Sequence, residues 1–290
     1  MIRLVDMTPE AVAASRARRP RAFSAPPLRL LVSWTGGLSL AALLIGSLIQ
    51  FDVSPARLWT GLTRLGHVLG FMLPPYVWRT WEAFLEPVTA IGETLAMAFL
   101  GTLIAGILAL PLSFLGAKNV LNSEAARFFF RRSFDLMRTI ETIVLALIFI
   151  RAFGLGPLAG IFAIAIGDLG ALAKLFAEAI ENVDRRPIEG VNAAGAGRIQ
   201  TLRLAVLPQV LPVMLSNLLY FFESNVRTGT VLGVVGAGGI GFLIYDRIGA
   251  NNWDEVMSIV LLILVTVSAI DLGSAALRHR LIGGGARRRV

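Results

Sequence analysis

The 290-residue sequence contains no cysteine and only two histidines, His67 and His279. Disulfides, iron–sulfur clusters and thiol catalysis are excluded by the first absence. The two imidazoles lie far apart with no metal-ligand spacing around either, and both read as interfacial or solvated side chains. Lysine is nearly missing as well. Lys118 and Lys174 are the whole supply, preceded by Ala117 and Ala173, so no phosphate-cradling loop ends in Gly-Lys-Ser or Gly-Lys-Thr. Neither a His-Glu-x-x-His helix nor a Gly-x-Ser-x-Gly elbow is present. The chain is therefore read as a non-enzyme with no cofactor of its own. Charge is scarce too: 16% of residues are charged, against about 25% in ordinary soluble domains.

What fills the gap is apolar sequence. The chain is 56% hydrophobic with a mean hydropathy of +0.72, and several apolar runs exceed the ~20 residues needed to cross ~30 Å of hydrocarbon. The bilayer is its solvent. Spans are expected at about 30–51, 88–116, 134–153, 155–180, 206–232 and 256–277, six in all. The run 30–51 is longer than a secretory core and lacks a small-x-small cleavage site at its end, so it counts as a span. The tail 1–29 mixes arginine with proline and alanine and has too little apolar content to pack. The segment 51–87, with Trp59, Trp78 and Trp81, is expected to be an external loop with one or two interfacial helices.

The net charge of +8 and pI near 11 would suit nucleic acid if the arginines formed one face, but they collect between the apolar runs. Of 27 basic residues, 19 fall in 1–29, 117–133, 181–205 and 278–290. Five lie in the remaining loops, and Arg138, Lys174 and Arg227 lie within spans. Basic residues in short loops stay on the cytoplasmic side during insertion. Both termini and the loop before Pro208 are therefore assigned to the cytoplasm.

Two internal features carry chemistry. Glu223, Ser224, Asn225 and Arg227 sit in the fifth span, where ionisable groups are costly unless paired or wet. Glu223 precedes Arg227 by four residues, which fits an internal ion pair. The same face also fits a translocation path in which Arg227 meets an oxyanion and Asn225 or Ser224 donates hydrogen bonds. Glu93, Asp168, Glu178 and Asp271 are read as facing helix partners or the interface, with Lys174 one turn from Glu178 and within pairing reach. The second feature, Gly236-x-Gly238-x-x-Gly241, formally matches a dinucleotide fingerprint but interrupts membrane sequence. There Gly236, Gly238, Gly239 and Gly241 serve either close helix packing or a helix break at a gate.

Between the fourth and fifth spans, Glu189 is followed six residues later by Gly195, and Leu207-Pro208 stand twelve and thirteen beyond that. A surface helix leading into a span accounts for the loop, and the spacing also resembles the "EAA" loop of ABC importer permeases. Gly190 and Val191 stand where that pattern has two alanines, and Ala205 where it has isoleucine. Over 92–281 further strings resemble the phosphonate permeases: 138–140 (Arg-Thr-Ile), 146–160, 174–181, 206–212 and 231–242. Glu141 replaces the proline usual after Arg-Thr-Ile, and Gly167-Asp168 replaces a His-Thr-like pair.

The resemblance implies an all-α integral membrane protein of about six transmembrane helices with the type I ABC importer permease fold. Its parts are a tail (1–29), a first helix with external loop (30–87), a permease core (88–281) with coupling loop 182–205, and a second tail (282–290). It implies a homodimer in the bacterial inner membrane, two cytoplasmic ATPase subunits carrying ATP and Mg, a periplasmic or lipid-anchored phosphonate-binding protein, and no nucleic acid. Cargo would be a phosphonate, or else phosphite, hypophosphite, betaine or methionine. Glu189, Gly195, Leu207 and Pro208 would couple nucleotide closure to the spans. The charge count yields a first test. A single cysteine at Arg198 in this otherwise cysteine-free chain is expected to react with a membrane-impermeant maleimide only from the cytoplasmic side.

Overall fold

A computed structural model describes residues 13–14, 17–18, 27–121 and 123–283. Beyond 13–14, 17–18, 27–29 and 282–283, the two expected tails lie outside these residues. The described residues form helices and connections with no strand among them. The chain divides after Leu69 into two units.

In the first unit α1 (Pro27–Gln50) is an apolar helix, and α2 (Pro55–Phe71) begins after a short turn. Leu58, Leu62, Leu65 and Leu69 recur at helical spacing along α2, with Arg57 and Arg64 off that stripe, the pattern of a helix lying at an interface. Arg57 is tied to Asp52 at the turn by a 2.5 Å ion pair.

The second unit is built on α3 (Trp81–Gly116) and α6 (Pro157–Glu181). At 1.5 Å per residue, the 36 residues of α3 extend roughly 54 Å, ample for a tilted span. Thr80 caps its start, its hydroxyl accepting from the Ala83 N–H. The buried face of α3 is made of small residues, including Gly101, Thr102, Ala105, Gly106 and Ala109, and that of α6 includes Gly160, Ala163, Gly170, Ala173 and Ala177. Small side chains let two backbones approach closely, which is the main route to helix association in lipid. A Cβ on Gly101 would stand 2.6 Å from Ile164 Cγ2, and one on Gly170 2.5 Å from the Phe134 carbonyl oxygen.

Around this pair lie α4 (Glu124–Met137), α5 (Thr142–Phe153), α9 (Leu207–Leu232), α10 (Gly239–Gly249) and α11 (Trp253–Gly283). Two short helices, α7 (Arg185–Ala193) and α8 (Arg198–Thr201), connect α6 to α9. One buried cluster joins Phe134, Phe176 and Met214, a second Leu145, Ile164 and Leu232, and a third Ile240, Leu243 and Ile259.

Among the described residues, five helical segments are long and apolar enough to span a membrane: Ser33–Gln50, Trp81–Gly116, Pro157–Glu181, Arg198–Ala237 and Trp253–Leu281. The expected third span, 134–153, is corrected. α4 ends at Met137, residues 138–141 turn, and the apolar helix α5 has only 12 residues. At about 18 Å it falls short of ~30 Å of hydrocarbon by itself. Together, however, α4 and α5 follow α6 from Glu181, paired with Arg131, past Gly170, against Phe134, to Ile164, against Leu145, so the third crossing is a broken one. The reason lies in α4, an amphipathic helix carrying Arg127, Arg131 and Arg132, of which Arg131 pairs with Glu181 at 2.6 Å. Its charged side chains seek partners on α6, so the crossing is split at residues 138–141 and the apolar run begins afresh at Thr142.

The packing of Gly170 against a backbone oxygen gives a stability test. Gly170→Ala is expected to cost about 2 kcal/mol through overpacking, read as a lower Tm of the purified protein in detergent. Gly273→Ala, where a Cβ meets nothing within 4 Å, should leave the Tm unchanged or raise it.

Candidate functional site

The loop between α6 and α9 is a hydrogen-bonded body. Asp184 caps α7, its Oδ1 accepting from the Arg186 N–H at 3.1 Å, and no residue of α7 is buried. Glu189 lies on this exposed helix. Gly195, at φ +80°, turns the chain out of α7 in the left-handed region that favours glycine. The Thr201 hydroxyl donates to Asn192 Oδ1 at 2.6 Å, tying α8 to α7.

Gln209 fastens the loop to the base of α9. Its Oε1 accepts from the Asp184 N–H at 3.0 Å, and its Nε2 donates to the Ala205 carbonyl at 2.7 Å. Leu202–Val206 is a π-helical turn whose register is closed by the Leu207 N–H donating to the Leu202 carbonyl. Pro208, which has no N–H to continue an α-helical ladder, stands in the first turn of α9, where that loss is tolerated. A cavity of about 480 Å³ under the loop is lined by Val183, Ile188, Ile199 and Leu202, and Ile199 is 82% exposed. Gln209, Asp184 and Ile199 were missed as site residues, although Gln209 lies inside the string 206–212.

The four residues expected to line one path along α9 point in three directions. Helical residues advance 100° each, so 223, 224 and 225 do not share a face. Glu223 and Arg227 form the anticipated pair at 3.4 Å, and α11 extends it. Arg278 Nη1 reaches Glu223 Oε2 at 2.8 Å, and Arg227 Nη1 reaches Asp271 Oδ2 at 3.1 Å. Two cations and two carboxylates alternate across the α9–α11 contact. Arg227 is paired with this chain's own carboxylates and its side chain stays about half exposed, so the anticipated internal pair is present. Asn225, 5% exposed, turns inward and donates to Thr102 Oγ1 at 2.9 Å and to Asp168 Oδ2. Lys174 pairs at 2.6 Å with Asp135 of α4 and not with Glu178.

Ser224 opens onto a third surface. A cavity of about 500 Å³ lies between the 138–142 turn, α6 and α9, with Arg138, Glu141, Asp168, Lys174 and Glu178 in its walls. Glu141 and Asp168, where the sequence parts from the phosphonate-permease strings, both reach it.

The glycine string breaks the helix. Gly236, Gly238 and Gly239 have φ of +103°, +82° and +71°, and α10 starts in a new direction. A Cβ on Gly241 would stand 1.8 Å from the Thr230 carbonyl oxygen, so glycine is required for the close return. The first N–H groups of α10 are capped from α3. Gly239 N–H donates to Glu93 Oε2 at 3.2 Å, and Ile240 N–H to Thr94 Oγ1 at 2.9 Å. The string follows a helix and not a strand, so the dinucleotide motif is formal only.

A bundle of helices long and apolar enough for lipid, with paired internal charges, a broken helix and a stapled exposed loop, defines a class: a multi-pass membrane protein. The family described as "binding-protein-dependent transport system inner membrane component" matches residues 109–282, and the chain belongs to it. The chain is 37% identical over 261 residues to a phosphate-import permease protein of Mycolicibacterium smegmatis, spanning 88% of this chain and 48% of that protein. It is 38% identical over 226 residues to a putative phosphite transport system permease of Stutzerimonas stutzeri, covering 78% of this chain and 79% of the relative. A putative cryptic phosphonate transport permease of Escherichia coli is 43% identical over 120 residues, 41% of this chain and 98% of that protein. The fold is similar to that of an inward-facing methionine ABC transporter, with a TM-score of 0.60 at 22% identity over 70% of this chain and 99% of that one.

The alternating charges of α9 and α11 predict non-additive losses. Glu223→Ala leaves Arg278 and Arg227 short of a carboxylate and is expected to cost about 2 kcal/mol. Glu223→Ala with Arg278→Ala should cost less than the sum of the two single changes, by about 1 kcal/mol in a double-mutant cycle on detergent Tm.

Proposed function

We propose that the chain is the permease of an ATP-driven importer carrying phosphorus oxyanions from the exterior or periplasm to the cytoplasm by alternating access. The observation that carries this reading is the α7–α8 loop, an exposed short helix stapled to the base of α9 through Gln209. A push on α7 is delivered to α9 without slack, which suits a coupling element acted on by a nucleotide-driven partner.

The working assembly is a homodimer with two ATPase subunits against the loops around Glu189 to Gly195 and a binding protein outside. Both termini are cytoplasmic. ATP and Mg belong to the ATPase. Leu207 and Pro208 begin the rod that the loop moves, and Gly236, Gly238, Gly239 and Gly241 form the bend at its far end, where a gate would lie. Closure of the nucleotide dimer favours one permease state because the partner binds the two states unequally. The cargo class is supported by relatives named for phosphate, phosphite and phosphonate transport. Relatives named for methionine, at 24–28% identity, support methionine less.

Reconstitution with the ATPase and binding protein in vesicles tests the reading. ATP-dependent uptake of labelled methylphosphonate is expected, competed by phosphite and phosphate and not by methionine or betaine. Glu189→Ala should lower both uptake and cargo-stimulated ATP hydrolysis about tenfold while the subunits still co-purify. Flux without ATP, or competition by methionine alone, would overturn it.

A further inference from the structure

The cavity between the 138–142 turn, α6 and α9 carries more carboxylate than a plain anion site would. Five ionisable side chains from these elements line about 500 Å³. Hydrocarbon does not tolerate such a surface, so water or a polar ligand occupies it. Lys174 is matched by Asp135 at 2.6 Å. Among the described residues, Asp168 receives only the amide of Asn225. Arg138, Glu141 and Glu178 have no ion pair among the described residues. One guanidinium that acts on Asp135 only from beyond ion-pair distance thus shares the space with three carboxylates that take part in no ion pair among the described residues.

A dianion carrying nothing else would be drawn to Arg138 and repelled by Glu141, Asp168 and Glu178. A molecule bearing both a phosphoryl group and an ammonium would satisfy both sets. We propose that this cavity is a binding site for aminoalkylphosphonates, with Arg138 and the Ser224 hydroxyl on the phosphonate oxygens and the three carboxylates around the ammonium. The planar fork of Arg138 suits two phosphonate oxygens, and the volume is within the usual range for small-molecule sites. Glu141 and Asp168 set the specificity, because each places a carboxylate where the phosphonate-permease strings have a neutral or weakly basic residue. The proposal rests on the import of phosphorus oxyanions by this chain.

The experiment compares uptake of 2-aminoethylphosphonate with that of ethylphosphonate by the complete importer, with binding protein and ATPase held constant. The two probes differ by the amine, and comparing each variant with wild type cancels the preference of the binding protein. Glu141→Gln, Glu178→Gln and Asp168→Asn are each expected to lower the aminoethyl-to-ethyl uptake ratio, by about tenfold for Asp168→Asn, the closest to full burial. Arg138→Gln should lower uptake of both probes, with Arg138→Lys restoring part of each. Glu124→Gln, on the exposed start of α4, should leave the ratio alone. Because Asp168 also anchors Asn225, Glu141→Gln and Glu178→Gln carry the test if Asp168→Asn fails to fold. An unchanged ratio in both, with phosphonates still imported, overturns the site while leaving the importer reading intact. Absence of ATP-dependent uptake of any phosphorus oxyanion by the wild type overturns both.

Discussion

The close contact of α3 with α6 is the constraint on which the second unit depends. Lipid tails are as apolar as leucine, so burying leucine between two helices gains little over leaving it in the membrane. Association must come from close fit, and the glycine and alanine faces of these two helices provide it. Once they are set, the rest docks on them. α4 lays its end against Gly170, α10 is capped by Glu93 and Thr94, and Asn225 of α9 reaches Thr102 and Asp168, one residue from each helix of the pair.

Polar groups on this scaffold divide by what they meet. The Glu223, Arg227, Asp271 and Arg278 set neutralises itself and needs no ligand, since each charge has an opposite one within 3.4 Å. Arg247 is similarly held. Burial opposes its charge, but Glu86 and Glu255 outweigh that and raise its pKa above the ordinary value. Those clusters pin α9 to α11, and α10 to α3 and α11. The cavity at Arg138 differs because its charges do not cancel, which is why it is the place for a ligand and the ion clusters are not.

The apolar spans were legible because a run of about 20 apolar residues has few meanings, and α1, α3, α6, α9 and α11 lie close to where composition puts them. The third span was not, since Phe134, Leu136 and Met137 at the end of an amphipathic helix run on into the apolar start of α5, and a hydropathy window does not see the turn between them. The loop between α6 and α9 was marked out by the spacing of Glu189, Gly195 and Leu207-Pro208, but its staple depends on Gln209 meeting Asp184, 25 residues earlier. Lys174 was matched to Glu178 on local spacing, yet a lysine four residues before a glutamate is the weaker orientation on a helix, and Asp135 on α4 offers a shorter reach. Pairings across helices, such as Arg278 with Glu223, follow from packing angles that no local pattern records.

In the proposed cycle these parts act through one rod. From Arg198 to Val235 the chain is helical, with a π turn at its start and a break at Gly236, where φ is +103°. Its base is held by Gln209 to Asp184 at the start of α7, its middle presents Ser224 to the mixed-charge cavity, and its far end bends at Gly236. A displacement of α7 therefore reaches the cavity walls and the bend together. The α9 side chains resist it unequally. The Asn225 bonds tie the rod to α3 and α6, whereas the Glu223 and Arg227 pairs tie it to α11, so a rod that moves relative to α3 and α6 while keeping its ion pairs would carry α11 with it. Moving α9 and α11 as one body against α3 and α6 breaks two hydrogen bonds at Asn225, one to a hydroxyl and one to a carboxylate, and spares the ion pairs, and it widens the cavity at the Ser224 wall, where a bound cargo has to leave.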